Sequence, residues 1–345
     1  MKILISASNM VHVNNFHKPY INYFKAQGNS VYVMARGEGA DFDIPFEKSV
    51  LSPKNLFLLS KIRKIIKKER FDIIYLHTSL SAFLVRLALK GLKNRPRIVN
   101  TVHGYLFGNG FSRLHNFLYL LCEKITKKQT DHILVMNNED YEIATQNQLS
   151  LDGVSKIDGI GIDFSKLYKE DTGEEKTIVF VGELSKRKNQ TFLVNAMKSL
   201  PDYKLILVGD GKEKENLTKQ IEKNGLSQNV IITGYKKDVS HYINKASIYV
   251  SASKIEGLPF NILEAMYLNK PILASNIKGH CDLLDESSLF SLDNEKELVK
   301  KLLNVSEKNK SYAYERYSLD VVLDNNMSIY LSQLDKTVKK DAIPV

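Results

Sequence analysis

Hydrophobic and polar positions in the first half of the chain follow a repeating order. Short apolar runs, typical of buried strands, are each followed by a longer segment whose apolar residues recur every three or four positions, as in a helix. The predicted strands cover residues 2–6, 31–34, 72–76, 97–102 and 131–135, and the predicted helices cover 15–27, 55–69, 79–89, 112–128 and 138–147. Strands that alternate with helices through short loops predict a parallel sheet covered on both faces.

The same order begins again after a polar, weakly periodic segment at residues 164–175, which we interpret as a linker. The second set of predicted strands covers 177–181, 204–208, 230–233 and 247–250, with helices at 189–199, 213–224, 239–244 and 259–268. We therefore predict two doubly wound, Rossmann-like α/β domains, 1–164 and 165–314, that face each other across a central cleft. Ligands of such sheets bind beyond the carboxyl ends of the strands, so functional residues are expected in the strand-to-helix loops.

Composition narrows the class of protein. The chain has 345 residues, 43% of them hydrophobic and 26% charged, as expected of a globular protein with two cores. No apolar run reaches the roughly 18 residues of a membrane span, and the first strand begins at residue 2, so no secretion signal is expected. The two cysteines, Cys122 and Cys281, make no framework and no metal cluster. We expect both to be reduced and partly buried, as in a cytoplasmic protein.

The net charge of +10 is concentrated in the first 165 residues, which carry +8 of it. Such an excess suggests an anionic partner, either nucleic acid or an anionic membrane face. The sequence has no interleaved aromatic and basic motif and no helix-turn-helix signature, which disfavours nucleic acid. The basic segment 61–70 is amphipathic, with an apolar stripe of Leu58, Ile62, Ile65 and Ile66. It is either a core-facing helix with a solvated basic face or a helix that docks on anionic headgroups.

One predicted strand-to-helix segment holds two glutamates eight residues apart, Glu256 and Glu264. Pro259 lies between them and suits the first position of a helix, since its φ is fixed and it has no N–H group. Glu256 is therefore placed in the loop and Glu264 inside the helix, with both carboxylates facing one crevice. The free N–H groups of residues 260–262 at the helix start would form a phosphate site.

A basic turn follows the predicted strand at 177–181. Gly182 allows the backbone to approach a ligand, and Arg187 and Lys188 stand at a helix start, where cations suit a diphosphate leaving group. Gly209 and Gly211 follow the next strand, where glycines either approach a ligand or only make a tight turn.

Polar residues also follow two predicted strands of the first half. His103 comes after the strand at 97–102 and would look into the cleft, unless it is a structural residue of the strand end. His12 and Asn14 follow the first strand and are either acceptor contacts or capping and turn residues. The first loop has no Gly-x-Gly, so it is not a dinucleotide-binding fingerprint.

Three of these segments, in this order, resemble those of retaining nucleotide-sugar glycosyltransferases with the GT-B fold, and of glycosyltransferase family four in particular. They are Thr101-Val102-His103-Gly104, then Gly182-Glu183-Leu184 with Lys188-Asn189, and then Glu256 to Glu264 followed by Ala265-Met266. Glu183 departs from the family pattern, because many members carry arginine there. Arg187 is the candidate to replace it.

The resemblance implies an enzyme that moves a hexose or N-acetylhexosamine from a nucleotide-diphosphate sugar, with UDP as the expected nucleotide, to a lipid-linked saccharide. Transfer would retain the anomeric configuration and serve the synthesis of a bacterial surface polysaccharide. The first domain would bind the acceptor and the second the donor, and a closing helix at about 315–335 would pack back on the first domain. No metal or other cofactor is implied, in keeping with the lack of an Asp-x-Asp motif. The enzyme would work in the cytoplasm, against the anionic inner face of the plasma membrane.

The family pattern also implies a role for each candidate residue. His103, Lys188 and Glu256 would act on the reacting sugar and leaving phosphate, and His12 and Asn14 would meet the acceptor. The residues implied in donor binding are Gly182, Arg187, Lys188, Gly209, Gly211, Tyr235, Glu256, Gly257, Leu258, Phe260, Asn261 and Glu264. The rival interpretation is a non-hydrolysing sugar-nucleotide epimerase, which would turn over a sugar nucleotide without an acceptor.

Overall fold

The computed structural model describes residues 1–47, 52–170, 172–305 and 311–341. The contacts of the chain divide it into two units, each built on a parallel sheet. The first unit comprises Met1–Gly161 and the described part of Asp320–Val345, and the second comprises Ile162–Leu319. Residues 162–164, which the sequence pattern assigns to the first domain, belong to the second because Ile162 and Phe164 pack in its core.

A seven-stranded sheet forms the centre of the first unit. Its strands are β1 (Lys2–Ser6), β2 (Ser30–Ala35), β3 (Phe42–Asp43), β4 (Ile73–His77), β5 (Arg97–Val102), β6 (His132–Val135) and β7 (Val154–Lys156). They are all parallel, in the order β3-β2-β1-β4-β5-β6-β7. The strand order reverses between β1 and β4, so the carboxyl ends of β1, β4 and β5 are the expected place for a ligand in this unit.

Six helices accompany these strands in the described ranges 1–47 and 52–161. They are α1 (Met10–Phe16), α2 (Lys18–Ala26), α3 (Pro53–Glu69), α4 (Ser79–Ala88), α5 (Arg113–Thr126) and α6 (Asn138–Gln146). Helix α4 contacts both α3 and α5. The single helix predicted at 15–27 is instead two helices, because the Asn9 side chain accepts the His12 N–H at 2.9 Å and begins α1 earlier. The polar segment that follows β1 is therefore helical rather than a loop.

A buried ion pair joins α4 to α5. Arg86 is fully buried, and its Nη1 and Nη2 lie 2.8 and 3.0 Å from the two carboxylate oxygens of Glu123. Arg86 also donates to Thr130 Oγ1 at 3.2 Å and to the Ala82 carbonyl at 3.0 Å. All of these partners are buried, so the guanidinium group keeps its hydrogen bonds away from water.

The second unit is built on a six-stranded parallel sheet. Its strands are β8 (Glu174–Val181), β9 (Lys204–Val208), β10 (Val230–Gly234), β11 (Ala246–Ser251), β12 (Ile272–Ser275) and β13 (Leu289–Phe290), in the order β10-β9-β8-β11-β12-β13. The helices are α7 (Gln190–Ala196), α8 (Lys214–Lys223), α9 (Ser240–Lys245), α10 (Phe260–Tyr267) and α11 (Glu295–Asn304). Two apolar clusters form its core, one containing Phe180 and Leu207 and the other Tyr249 and Ile262.

The last helix, α12 (Leu319–Asp341), packs on the first unit. The Tyr330 carbonyl accepts from Tyr75 Oη at 3.0 Å, and Asn326 Nδ2 donates to Tyr20 Oη at 2.9 Å. The helix begins four residues later than expected because residues 315–317 form a 3-10 turn before it. None of the helices in the described ranges is both long and apolar enough to cross a bilayer.

The two cysteines differ in exposure. Cys122 is partly buried, as expected, but Cys281 is exposed because it lies in the turn that follows β12. Its Sγ lies 3.0 Å from Asn276 Oδ1. Neither cysteine forms a disulfide, and both are among the described residues.

Candidate active site

The basic turn after β8 and the glutamate loop after β11 meet at neighbouring strand ends of the second sheet. Glu256 forms ion pairs with both predicted cations: Oε1 lies 2.6 Å from Lys188 Nζ, and Oε2 lies 2.8 Å from Arg187 Nη1. The backbone joins the loops as well, since the Lys254 N–H donates to the Arg187 carbonyl at 2.8 Å. Three residues predicted from two separate motifs therefore form one ion cluster.

Burial and charge oppose each other in this cluster. Glu256 and Lys188 are only 7% and 8% exposed, whereas the Arg187 side chain is 41% exposed. Burial alone would raise the pKa of Glu256, but the charges of Lys188 and Arg187 outweigh it and hold this pKa at about 2. Burial lowers the pKa of Lys188, and the Glu256 carboxylate counteracts that effect. The carboxylate thus stabilises a buried ammonium group.

A buried polar chain behind Glu256 was not predicted from the sequence. Ser253 donates to the Glu256 carboxylate, its Oγ lies 3.3 Å from Ser251 Oγ, and that atom lies 3.4 Å from His280 Nε2. His280 Nδ1 lies 2.8 Å from the Ser275 carbonyl oxygen and must donate to it, which leaves Nε2 as an acceptor. Burial lowers the pKa of His280 to about 4, although Glu256 and Ser275 oppose this shift. A neutral histidine therefore supports the glutamate loop.

One feature of the sequence could have indicated this support, namely the glycine that precedes His280. Gly279 has φ +82, and a Cβ atom there would lie 2.8 Å from the carbonyl oxygen of Gly257. The segment after β12 therefore approaches the glutamate loop so closely that a larger residue would displace it.

Glu264 lies on α10 and has a different environment from Glu256. Burial raises the pKa of Glu264 to about 7, and the positive charge of Lys188 only partly opposes this effect. Burial also raises the pKa of Tyr249, and the nearby Glu264 adds to that shift. Among the described ion pairs none includes Glu264, so no ion-pair partner offsets the burial of its carboxyl group.

The start of α10 differs from the prediction. Pro259 is the residue before the helix, with ψ 104, and the helix begins at Phe260. The Ile262 N–H is not free for a phosphate, because it donates to the Pro259 carbonyl and to Asn261 Oδ1, both at 3.1 Å. Asn261 Nδ2 donates to the Val181 carbonyl at 3.0 Å and so fastens α10 to the end of β8.

Gly209 and Gly211 have a packing role. A Cβ atom on Gly209 would overlap the Gly182 carbonyl, and one on Gly211 would overlap the Leu184 carbonyl. The Gly182 N–H donates to the Val208 carbonyl at 2.9 Å, which holds the two turns together. Close packing of the turns alone requires these glycines, and their contact with a nucleotide stays a prediction.

Asn189 adopts a left-handed backbone conformation in the basic turn. It has φ +57 and ψ 40 immediately before α7. Glycine and asparagine are the residues that adopt this left-handed conformation most readily, which accounts for Asn189 beside Lys188.

The other residues predicted to bind the sugar-nucleotide donor are less constrained by packing. Tyr235 follows β10 and is 77% exposed, so packing does not fix its side chain. Leu258 and Phe260 are partly buried against the second core. Glu183, which stands where many family members have arginine, is exposed.

In the first unit, His103 belongs to a cluster of four histidine rings with His12, His17 and His77. Its Nε2 lies 3.2 Å from His77 Nδ1, and its ring centroid lies 5.1 Å from that of His12. The rings of His17 and His77 are 3.8 Å apart. Asn14 is an exposed residue of α1 and has no described contact with this cluster.

His17 and His77 were not predicted from the sequence. His77 is the last residue of β4, and β4 pairs with both β1 and β5, whose carboxyl ends lead to His12 and His103. Carboxyl ends of adjacent parallel strands meet at one edge, so histidines after three predicted strands were an available signal.

Two helix surfaces of the first unit concern the predicted membrane partner. Ile62 and Ile66 of α3 are buried, so the apolar stripe of α3 packs in the core, whereas Lys64, Lys67 and Lys68 are exposed. Helix α5 has an exposed apolar stripe that was not predicted from the sequence. Its members are Leu114, Phe117, Leu118, Leu121 and Ile125, each at least 40% exposed.

The protein has two Rossmann-like parallel sheets, and in the second a basic turn and the Glu256 loop meet at neighbouring strand ends. These features are those of GT-B glycosyltransferases. The model of Glycosyltransferase Family 4 matches residues 20–149, and that of Glycosyl transferases group 1 matches residues 166–317. The chain belongs to glycosyltransferase family 4, the family that the motifs predicted.

Several relatives match most of the chain. It is 30% identical over 307 residues to the putative glycosyltransferase EpsD of Bacillus subtilis, covering 82% of this chain and 81% of that protein. It is 29% identical over 262 residues to the UDP-Gal:alpha-D-GlcNAc-diphosphoundecaprenol alpha-1,3-galactosyltransferase of Escherichia coli, covering 70% and 67% of the two chains. The structure of Anabaena HepE in complex with UDP and glucose matches with a TM-score of 0.72 and 19% identity, covering 96% and 99%. This last likeness shows a shared fold.

Proposed function

We propose that this glycosyltransferase moves a hexose or N-acetylhexosamine from a UDP-sugar to a lipid-linked saccharide during synthesis of a bacterial surface polysaccharide. The observation that carries the proposal is the ion cluster of Lys188, Arg187 and Glu256, with Glu264 beside it. The Escherichia coli relative is named for a UDP-galactose donor and a diphosphoundecaprenol acceptor, and HepE binds UDP and glucose. We propose that this chain shares both features.

The proposed reaction depends on an exchange of partners within the cluster. Lys188 and Arg187 leave Glu256 and bind the diphosphate of the donor, so a buried ammonium group keeps an anionic partner throughout. Glu256 then accepts hydrogen bonds from hydroxyl groups of the sugar. The bond between the sugar carbon and the phosphate oxygen breaks, and both cations stabilise the charge that develops on the departing UDP.

We further propose that transfer retains the anomeric configuration and needs no metal. The acceptor hydroxyl attacks from the face on which UDP departs, and the leaving phosphate oxygen takes its proton. His103 is the proposed contribution of the first unit to donor binding, and His12 and Asn14 are its proposed acceptor contacts. Gly182, Gly257, Leu258, Phe260, Asn261 and Tyr235 are proposed to line the donor site.

A transfer assay tests this function. The protein is incubated in EDTA with UDP-glucose, UDP-galactose or their N-acetylamino counterparts, together with detergent-dispersed GlcNAc-diphosphoundecaprenol. The expected result is a lipid product longer by one sugar, with the same anomeric configuration as the donor by NMR. An epimerised UDP-sugar formed without any acceptor would instead identify the epimerase. An inverted product would overturn the retaining mechanism alone.

Glu264 is proposed to accept hydrogen bonds from the ribose hydroxyls, since one carboxylate matches a vicinal diol. Glu264→Gln is therefore expected to lower the affinity for UDP-glucose about tenfold, from roughly 1.5 kcal/mol lost per charged hydrogen bond. The wild-type affinity should also rise up to about tenfold between pH 6 and pH 8, because a group with a pKa of about 7 ionises over this range. The affinity of the variant should not change with pH. Calorimetry at both pH values measures this, and equal affinities of the two proteins would remove Glu264 from the ribose site.

The Glu264 carboxyl group should affect stability with the opposite pH dependence, since its ionisation destabilises the folded state. Its folded pKa of about 7 exceeds the ordinary 4.5, so its contribution to stability is complete below pH 4.5 and is lost as pH rises through 7. Glu264→Gln removes this loss and should stabilise the protein at pH 8, relative to pH 5, by on the order of 2 kcal/mol. Thermal unfolding at both pH values checks the sign. A variant that is less stable at pH 8 would show that Glu264 does not bear the burial cost.

We also propose that the protein binds an anionic membrane surface through α5. The exposed stripe of Leu114, Phe117 and Leu118 faces away from Glu123, the one acidic residue of this helix, which is buried against Arg86. Exposed Arg113 and Lys124 add positive charge on the same helix. An exposed apolar stripe flanked by cations fits the boundary between headgroups and acyl chains. The lysines of α3 can add electrostatic attraction but no insertion, because the apolar stripe of α3 is buried.

Sedimentation with vesicles distinguishes the two helices. Changing Leu114, Phe117 and Leu118 together to serine should weaken binding at least about tenfold, because each buried side chain contributes roughly 1.5–3 kcal/mol. Changing Lys64, Lys67 and Lys68 to glutamate should weaken binding only to phosphatidylglycerol vesicles and mainly at low salt, since each cation contributes about 1 kcal/mol.

Leu303→Ser is the matched control, because this leucine is 60% exposed on α11 of the second unit. It should bind vesicles as the wild type does. Equal binding by the stripe variant and this control would refute the role of α5, as would a wild type that binds no vesicles.

A further inference from the structure

Three ring nitrogens converge in the first unit. His12, His17 and His103 each offer one nitrogen that lies within 4.8 Å of those of the other two. His12 lies within α1, His17 joins α1 to α2, and His103 follows β5. The three rings are thus held by separate elements around the carboxyl edge of one sheet.

Two of these three histidines have a ring nitrogen without a hydrogen-bond partner. His12 Nε2 and His17 Nε2 are buried and receive or donate no hydrogen bond among the described residues. His17 is only 1% exposed, so water does not replace the missing partner readily. Leaving such a group unpaired costs roughly 1–3 kcal/mol, and the chain bears this cost twice in one place.

We propose that His12, His17 and His103 form a binding site for a divalent transition metal of the zinc type. Neutral imidazole is a preferred ligand of Zn²⁺, Co²⁺, Ni²⁺ and Cu²⁺ but not of Mg²⁺ or Ca²⁺. Three imidazoles at about 2.0–2.1 Å from a metal leave a fourth tetrahedral position open. A small inward movement of the rings brings the three nitrogens to the roughly 3.3 Å separation that this geometry requires.

A fourth histidine lies behind the three proposed ligands. His77 contacts both His17 and His103 and supports the orientation of their rings, as residues behind metal ligands commonly do.

A metal at this site should inhibit transfer, which rests on the proposed function. His103 cannot both bind a metal and contact a donor sugar, and His12 cannot both bind it and meet the acceptor. This effect agrees with a reaction that needs no metal, because the metal would act by occupying two residues of the reaction rather than by taking part in it.

Metal titration of chelator-treated protein, without substrates, tests the site directly. Calorimetry should show one equivalent of Zn²⁺ bound and no heat with Mg²⁺, and Co²⁺ should produce the visible absorption of a tetrahedral nitrogen-ligated site. His17→Gln and His12→Gln should each lower Zn²⁺ affinity at least about tenfold. His241→Gln, which changes an exposed histidine of the second unit, should leave the affinity unchanged.

Circular dichroism and thermal unfolding of each variant show whether it is folded, and two ligand variants guard against the failure of one. Equal Zn²⁺ affinity in wild type, His17→Gln and His241→Gln would overturn the proposal, as would a wild type that binds no Zn²⁺ at micromolar concentration. Zn²⁺ that binds as expected but does not inhibit transfer would instead overturn the proposed roles of His103 and His12.

Discussion

Lys188→Ala should lower kcat at least about 100-fold, because its charge has most effect when the departing phosphate gains negative charge. Lys188 is the buried cation of the ion cluster, and its Nζ lies 2.6 Å from Glu256. Its buried position reduces screening by water, which strengthens its interaction with an anion. Steady-state rates with saturating donor and acceptor measure the effect, and thermal unfolding shows whether the variant is folded.

Arg187→Ala is the matched control. Arg187 pairs with the same carboxylate at 2.8 Å but its side chain is 41% exposed, so its loss should reduce kcat less. If Lys188→Ala stayed active and Arg187→Ala were inactive, the alignment of this turn with the family motif would be wrong. If both variants kept full activity, the cluster would not hold the leaving group.

Arg86→Met should destabilise the protein by about 3–5 kcal/mol, because it leaves the buried Glu123 carboxylate without its partner. The guanidinium group is fully buried and donates hydrogen bonds to both carboxylate oxygens of Glu123. Water therefore screens the charges of this pair only weakly. Urea unfolding followed by circular dichroism gives the free energy of unfolding. Because the chain has two units, the transition of the first unit must be resolved from that of the second.

The double variant Arg86→Met with Glu123→Leu should recover much of this loss, since apolar residues of similar volume replace a buried pair well. Lys219→Met is the exposed comparison, because its pair with Glu215 at 2.6 Å lies on the surface of α8. That change should cost no more than about 0.5 kcal/mol. A small effect of Arg86→Met would contradict the expected contribution of this buried pair to stability.

Much of the fold is visible in local patterns. Strands β5 and β9 lie where the apolar runs predict them, because buried central strands of a parallel sheet are continuously apolar. The two-residue strands β3 and β13 have no such pattern, since they are too short for periodicity to be read. Helix α1 was missed because its start depends on a side-chain hydrogen bond from Asn9 rather than on apolar spacing.

The sequence by itself determined the alternation of strands and helices, the motif that ends in Glu264 and the presence of Lys188 at a strand end, because each depends on residues close together along the chain. Only the tertiary structure decided which groups meet. It paired Glu256 with Lys188 and Arg187, gathered four histidines from three strand ends, and left the apolar stripe of α5 exposed while burying that of α3. The physical reason is that periodicity shows which face of an element is apolar, whereas strand order and helix packing decide what that face contacts.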